Sequence, residues 1–226
     1  RYENFQYLGF DVFWGMAIVD VIPDSGLFPK VSPESAAMGY AEIDQNNRRW
    51  VKNQVNRIRQ QDDLDLELER VMLDKTQAEF DKGESMGPLT EGEVNSIWEP
   101  DSWRCLIRFL AWSAGKWREC DSGKASRHNV STKMGEKLKC CDNSAVDKYS
   151  ALVKFIWDIL PTDIRAKKFR LVASTEDLQR AYRQVPVAQE HLKYNISIVP
   201  YMGQVRFVAI FALVFGLSSA VLQFNK

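Results

Sequence analysis

The sequence predicts an α+β fold, with a mainly helical and irregular N-terminal region (residues 1–100) followed by a region of paired strands and helices (residues 101–226). Three observations carry this. From Asn46 to Phe80, apolar residues recur at helical spacing. Leu106–Trp112 and Lys116–Cys120 are aromatic-rich strand patterns joined through Ser113-Ala-Gly115, a hairpin arrangement. Asn195–Pro200 and Gln204–Ile210 repeat that arrangement around Tyr201-Met-Gly203.

The elements follow in order. Residues 1–45 are aromatic and irregular, with Pro23, Pro29 and Pro33 marking loops. The apolar stretch Leu8–Val21 is broken by Asp11 and Asp20 and lacks a small-residue cleavage site, so it does not read as a signal peptide. Val51, Val55 and Ile58 fall at i, i+4 and i+7, and Leu64, Leu68 and Val71 repeat that spacing. The charges between them make a solvated face. Lys82-Gly-Glu-Ser-Met-Gly-Pro88 ends this helical stretch, and Thr90 with Glu93 has the spacing of a capping box for a short helix. After the first hairpin, residues 121–143 are rich in Gly, Ser, Lys and Asn and read as loop. Ser144 can cap a helix with Ala145, Tyr149, Leu152, Val153 and Ile156 on one face, which Pro161 stops. Lys168–Ala173 reads as a strand leading towards Asp177.

Phe207–Phe224 contains no charge over eighteen residues, the lower limit for a membrane span. Gly216, Ser218, Ser219 and Gln223 and the hairpin pattern favour a buried strand followed by a helix, and no stable membrane association. The chain begins at Arg1 and stops in mid-pattern at Phe224-Asn-Lys226, and reads as a piece of something longer.

With 45% hydrophobic and 27% charged residues, the composition excludes a disordered or collagen-like chain. Thirty basic and thirty acidic residues balance, but unevenly along the chain. Residues 61–103 carry three basic and thirteen acidic residues, whereas residues 104–226 carry twenty basic and ten acidic. This excludes a uniformly basic nucleic-acid binder and leaves open a basic C-terminal half. Cys105, Cys120, Cys140 and Cys141 have neither a disulfide-framework spacing nor the paired C-x2-C of a zinc site with His128. They read as reduced, intracellular thiols.

Asp177 lies where an apolar strand gives way to Leu-Gln-Arg-Ala-Tyr-Arg-Gln-Val-Pro186. Taken alone, an Asp at a strand–helix junction reads first as a helix cap. A carboxylate there also suits a divalent cation that keeps waters for a phosphate substrate. The order of motifs adds to this. Thr175–Pro186 resembles motif A of reverse transcriptases, in which an Asp is followed five residues later by an aromatic, here Tyr182. Phe215-Gly-Leu-Ser-Ser-Ala-Val-Leu-Gln-Phe-Asn225 resembles motif B of retrotransposon enzymes. Gly115-Lys-Trp-Arg-x-x-Asp121 resembles their fingers hairpin. With Gly87-Pro-Leu-Thr90, Trp103-Arg104, His128-Asn-Val-Ser-Thr132 and Glu136-Lys-Leu138, roughly residues 70–226 look like the reverse-transcriptase-like proteins of dinoflagellates.

The resemblance implies a partial fingers/palm polymerase-like domain in residues 101–226, with motifs A and B present and motif C missing. It implies RNA-directed DNA polymerase chemistry with Mg²⁺ or Mn²⁺ by a two-metal mechanism. It also implies an RNA or DNA primer–template and deoxynucleotides as partners, in the nucleus or cytoplasm. By position, Asp177 would be the catalytic, metal-binding carboxylate and Leu178 would offer its backbone carbonyl. Tyr182 would gate the incoming sugar, Lys116 and Arg118 would meet the triphosphate, and Gly216 would admit nucleotide and template closely.

Plainer readings stand beside these. Tyr182 is core next to Val185, Arg118 pairs with Glu119 or Asp121, and Gly216 starts the last helix. The chain also departs from the sequences it resembles. It has Arg118-Glu-Cys-Asp-Ser122 where Arg-Pro-Ile-Asp-Asp is common, and Arg127 before His128-Asn129 where a small residue is commoner. Without the motif C aspartates, the 226-residue chain is expected not to extend a primer. Two alternatives remain: a degenerate, non-catalytic relic with residual nucleic-acid binding, and a membrane-anchored interaction protein spanning the bilayer with Phe207–Phe224.

Overall fold

Strand alternation and two tight turns organise the larger sheet. The computed structural model describes residues 15–31, 46–60, 66–138, 143–165 and 180–224. The chain divides into two compact units, residues 1–137 with 180–226, and residues 138–179. In the first unit lie β1 (Asp20–Ile22), α1 (Asn47–Arg59), α2 (Leu66–Asp81), β2 (Ser85–Leu89), α3 (Glu91–Ile97), β3 (Cys105–Ser113), β4 (Lys116–Ser122) and β5 (Thr132–Met134). The second holds α4 (Asn143–Ile159) and α5 (Thr162–Arg165). The first unit resumes with β6 (Ile196–Tyr201), β7 (Gln204–Ile210) and α6 (Ser218–Phe224). The chain is thus a mixed α+β protein, as the sequence predicts.

Five strands form one mixed sheet in the order β2-β7-β6-β3-β4. β6 runs parallel to β3, and the other neighbours are antiparallel. β1 and β5 pair separately, in parallel. Both expected hairpins are present, with Ser113 opposite Lys116 and Tyr201 opposite Gln204. In the first, Ala114 and Gly115 both have positive φ, 50° and 74°. That is the local twist a two-residue hairpin turn needs.

The sheet is apolar on both faces because alternate residues of the same strands serve different cores. Ile196, Ile198, Phe207, Ala209 and Cys105 face a core closed by Val51 and Val55 of α1 and Val94 of α3. Trp103 packs edge-on to Phe207 there, ring centroids 5.2 Å apart. Leu106, Val199, Val208 and Ile210 face the opposite core, with Met72 of α2 and Leu213, Val214, Leu217 and Ala220.

The capping box is formed: Thr90 Oγ1 accepts from the Glu93 amide (3.2 Å), and Glu93 Oε2 accepts from the Thr90 amide (2.7 Å). Thr90→Ala is expected to cost about 1 kcal/mol of unfolding free energy. Urea denaturation checks this as a lowered midpoint with an unchanged slope.

Three features differ from the expectation or go beyond it. Residues 82–88 end α2 as expected, but they also run into β2, which the sequence pattern does not reveal. A Gly-Pro pair argues against a central strand, yet β2 is an edge strand bonded only to β7, where proline is tolerated. The loop of residues 121–143 contains the short β5. The eighteen uncharged residues divide into β7, a turn and α6, and among the described residues no helix is long and apolar enough to cross a membrane. The second helix of the N-terminal region ends at Asp81, and α4 ends at Ile159, just before Pro161. The strand expected at Lys168–Ala173 lies outside the described residues.

Candidate functional site

Residues 185–187 run beside residues 211–213. The Val187 amide donates to the Phe211 carbonyl (2.8 Å), and the Leu213 amide donates to the Val185 carbonyl (2.9 Å). This alignment carries the preceding turn, residues 181–184, to the loop before α6. Tyr182 meets Phe215 edge to face there, centroids 5.8 Å apart, and Phe224 of α6 at 5.2 Å. Phe215 is 59% exposed, and Tyr182 is half-buried. Tyr182 is therefore not a buried core side chain, although it does pack on the core that contains Leu213.

Gly216 is fixed by its own chain. Its φ is +122°, and a Cβ there would lie 1.9 Å from the Asp121 carbonyl oxygen. The Asp121 amide donates to the Phe215 carbonyl (3.0 Å). Asn129 closes the junction: its Nδ2 donates to the Gly216 carbonyl (3.1 Å), and its Oδ1 accepts from the Ser218 amide (2.9 Å). The missing side chain thus accommodates β4, and α6 starts two residues later.

Lys116 and Arg118 are exposed near the hairpin tip, opposite Ser113 and Ala111. Alternation puts them on the face of Phe109, while Trp112, Trp117, Glu119 and Asp121 occupy the other. The structure therefore brings Tyr182 and Gly216 together but aims Lys116 and Arg118 from the opposite face of the hairpin. Arg118 pairs with neither Glu119 nor Asp121. Glu119 pairs with Lys75 (3.1 Å) and Asp121 with Arg108. Asp177 and Leu178 lie outside the described residues.

A buried charge cluster that sequence reasoning missed lies beside the Tyr182–Gly216 junction. Arg108 of β3 donates through Nε and Nη2 to both Asp121 oxygens (2.9 and 3.2 Å), and through Nη1 to Glu79 Oε2 of α2 (2.7 Å). Arg183 reaches Glu79 Oε1 (2.5 Å) and lies 3.6 Å from Asp121 Oδ2. Arg180 pairs with Glu84 and lies 3.7 Å from Glu79. Ser197 Oγ donates to Asp121 Oδ1 (2.5 Å). Three carboxylates thus balance three guanidinium groups. Burial pushes the Asp121 carboxyl up, but Arg108, Arg183 and the Ser197 hydroxyl together hold it below the usual carboxylate range. One signal was present in the sequence: Arg108 sits between Leu106 and Leu110 on the buried face of a strand, where a charge needs partners.

This cluster does not fit a divalent cation, because guanidinium groups already occupy the space between its carboxylates. Among the described residues, no group of three or more His, Cys, Asp or Glu could hold a metal ion.

The zinc alternative with His128 has no geometry to support it. His128 is fully buried, its Nε2 lies 2.8 Å from the Tyr194 carbonyl and its Nδ1 2.6 Å from Ser126 Oγ. A carbonyl only accepts, so the ring proton sits on Nε2. Burial, then the Arg104 charge, pull the His128 pKa down to about 3, and burial lowers that of His191. Cys105 and Cys120 are free thiols, and burial pushes Cys105 up to about 12, which leaves it unreactive. Between about pH 3 and 6.5 the unfolded chain binds a proton at residue 128 that the folded chain refuses. Stability is therefore full above pH 6.5 and falls with acid. The loss expected from His128 is roughly 2 kcal/mol by about pH 5. Denaturant titrations at about pH 7 and pH 5 check this, and His128→Asn should flatten the dependence.

No protein-family model matches the chain, and no curated protein matches it.

Proposed function

We propose that residues 101–226 are the fingers and part of the palm of a retrotransposon-type, RNA-directed DNA polymerase, holding primer–template and deoxynucleotide. The observation that carries this reading is the meeting of Tyr182 with Phe215-Gly216. Two segments that resemble separate reverse-transcriptase motifs converge on one exposed aromatic ledge. On this reading the Tyr182 ring lies beneath the incoming sugar and excludes a 2′-hydroxyl by size. Asn129 and Asp121 hold the Phe215–Ser218 backbone rigid next to it. Rigid placement of a bound group is how such a site lowers a barrier without moving.

Lys116 and Arg118 are exposed near the tip of a paired hairpin and form no ion pair among the described residues, so their charge is available to phosphate. When bound, Mg²⁺ would supply charge stabilisation at the transferring phosphoryl group. By its resemblance to motif A, Asp177 would hold it; Glu79, Glu84 and Asp121 are already paired with guanidinium groups.

Fluorescence anisotropy with an RNA–DNA hybrid across a salt series tests this. Affinity is expected to fall steeply as salt rises, because phosphate contacts release counterions. Lys116→Ala and Arg118→Ala should each weaken binding on all sequences and lower the salt slope by about 1. Absence of binding at low salt would contradict the proposal.

A further inference from the structure

We infer that Glu79 is a positioning residue for Tyr182: its buried carboxylate latches the segment Arg180–Val187 to the sheet by charge. The inference rests on reading Tyr182 as the sugar-facing residue, though the latch itself can be tested without it. The segment has little regular structure of its own, only a short turn and isolated bridges. Its backbone begins strained, since Arg180 has φ 54°, a left-handed conformation that non-glycine residues rarely adopt. Such strain persists where the surroundings over-determine it.

Here the surroundings are ionic. Arg180 and Arg183 flank Tyr182 and both reach Glu79 Oε1, at 3.7 and 2.5 Å. Glu79 Oε2 is held in turn by Arg108 at 2.7 Å, and Arg108 is locked on Asp121 of β4. One carboxylate on α2 therefore joins the turn carrying Tyr182 to the strand whose backbone fixes Gly216. The side chains of Glu79 and Arg108 are fully buried, so losing one partner leaves the other's charge poorly compensated. The Arg180–Glu84 pair is the outer, partly exposed end of the same chain of contacts.

Backbone hydrogen exchange followed by mass spectrometry on the 226-residue chain tests the latch, comparing wild type, Glu79→Gln and the charge-balanced double variant Glu79→Gln with Arg183→Gln. Glu79→Gln is expected to speed exchange at residues 180–187 at least tenfold while β6 and β7 keep their protection. The double variant, which lacks both ends of the latch, should leave residues 180–187 as unprotected as Glu79→Gln does; full recovery of protection there would overturn the latch. Equal loosening of β6, β7 and residues 180–187 would make Glu79 a general stabiliser and overturn the inference. Should Glu79→Gln not fold, Glu84→Gln removes only the outer pair and is expected to loosen residues 180–183 selectively. No change there would also overturn it.

A second arm measures binding of a deoxynucleoside triphosphate in the presence of the hybrid. Glu79→Gln is expected to weaken it about as much as Tyr182→Ala, at least tenfold. If wild type binds no nucleotide, the polymerase reading falls while the exchange result still decides the latch. If Tyr182→Ala weakens nucleotide binding and Glu79→Gln does not, positioning by Glu79 is overturned.

Discussion

Arg108→Met is expected to lower unfolding free energy by about 3–5 kcal/mol, a large part of the stability of a domain this size. The reason lies in what the substitution leaves behind. Methionine fills much of the space, but Glu79 and Asp121 lose their shared guanidinium and keep Arg183 between them, with Arg180 3.7 Å from Glu79 and the Ser197 hydroxyl on Asp121. Buried carboxylates stripped of their bidentate partner cost more than the intact pair gains. Arg118→Met is the control on the same hairpin. Arg118 is exposed on the opposite face and should change stability by no more than about 0.5 kcal/mol. Guanidinium denaturation of both variants reads the contrast directly. A small loss for Arg108→Met would mean that the cluster is solvated.

Gly216→Ala is the second large effect. The added methyl would sit 1.9 Å from the Asp121 carbonyl oxygen, well inside contact distance, and the clashing atom is backbone. Either the loop leaves β4, breaking the Asp121–Phe215 hydrogen bond, or the sheet edge moves. Overpacking of this kind costs roughly 1–3 kcal/mol, to which the positive φ adds about 1 kcal/mol. Gly115→Ala separates the two contributions. Gly115 has φ +74°, but a Cβ added there would meet nothing within 4 Å, so only the backbone cost of about 1 kcal/mol is expected. Thermal unfolding of the two variants should place Gly216→Ala clearly below Gly115→Ala. Because the loop carries Phe215, Gly216→Ala should also displace the aromatic ledge.

Much of the fold was legible because its signals are local. Two strand patterns around Ala114-Gly115 and around Met202-Gly203 gave both hairpins, and Thr90 with Glu93 gave a capped helix where one forms. β2 was illegible because Gly87-Pro88 reads as a breaker, and only its place at the sheet edge makes it a strand. For the candidate site, the surroundings of the named residues were less legible than their types. Gly216 read as a glycine kept for a ligand, whereas its nearest neighbour is the β4 backbone. The charge cluster was half visible. Arg108 on an apolar strand face announces that partners exist, but Glu79 lies on a helix far upstream and Arg183 far downstream. Periodicity cannot pair residues that only tertiary packing brings together. Lys116 and Arg118 were expected near the other site residues, and strand alternation, already countable in the sequence once the register is fixed, puts them on the other face.

Photolabelling with a photoreactive deoxynucleoside triphosphate, in the presence of RNA–DNA hybrid and with the labelled peptides mapped by mass spectrometry, tests the central claim most directly. Label is expected on peptides containing Tyr182 and Phe215-Gly216, displaced by unlabelled deoxynucleotide and lost in Tyr182→Ala. Label confined to other peptides, or unchanged by Tyr182→Ala and by competitor, would contradict a nucleotide site at this junction.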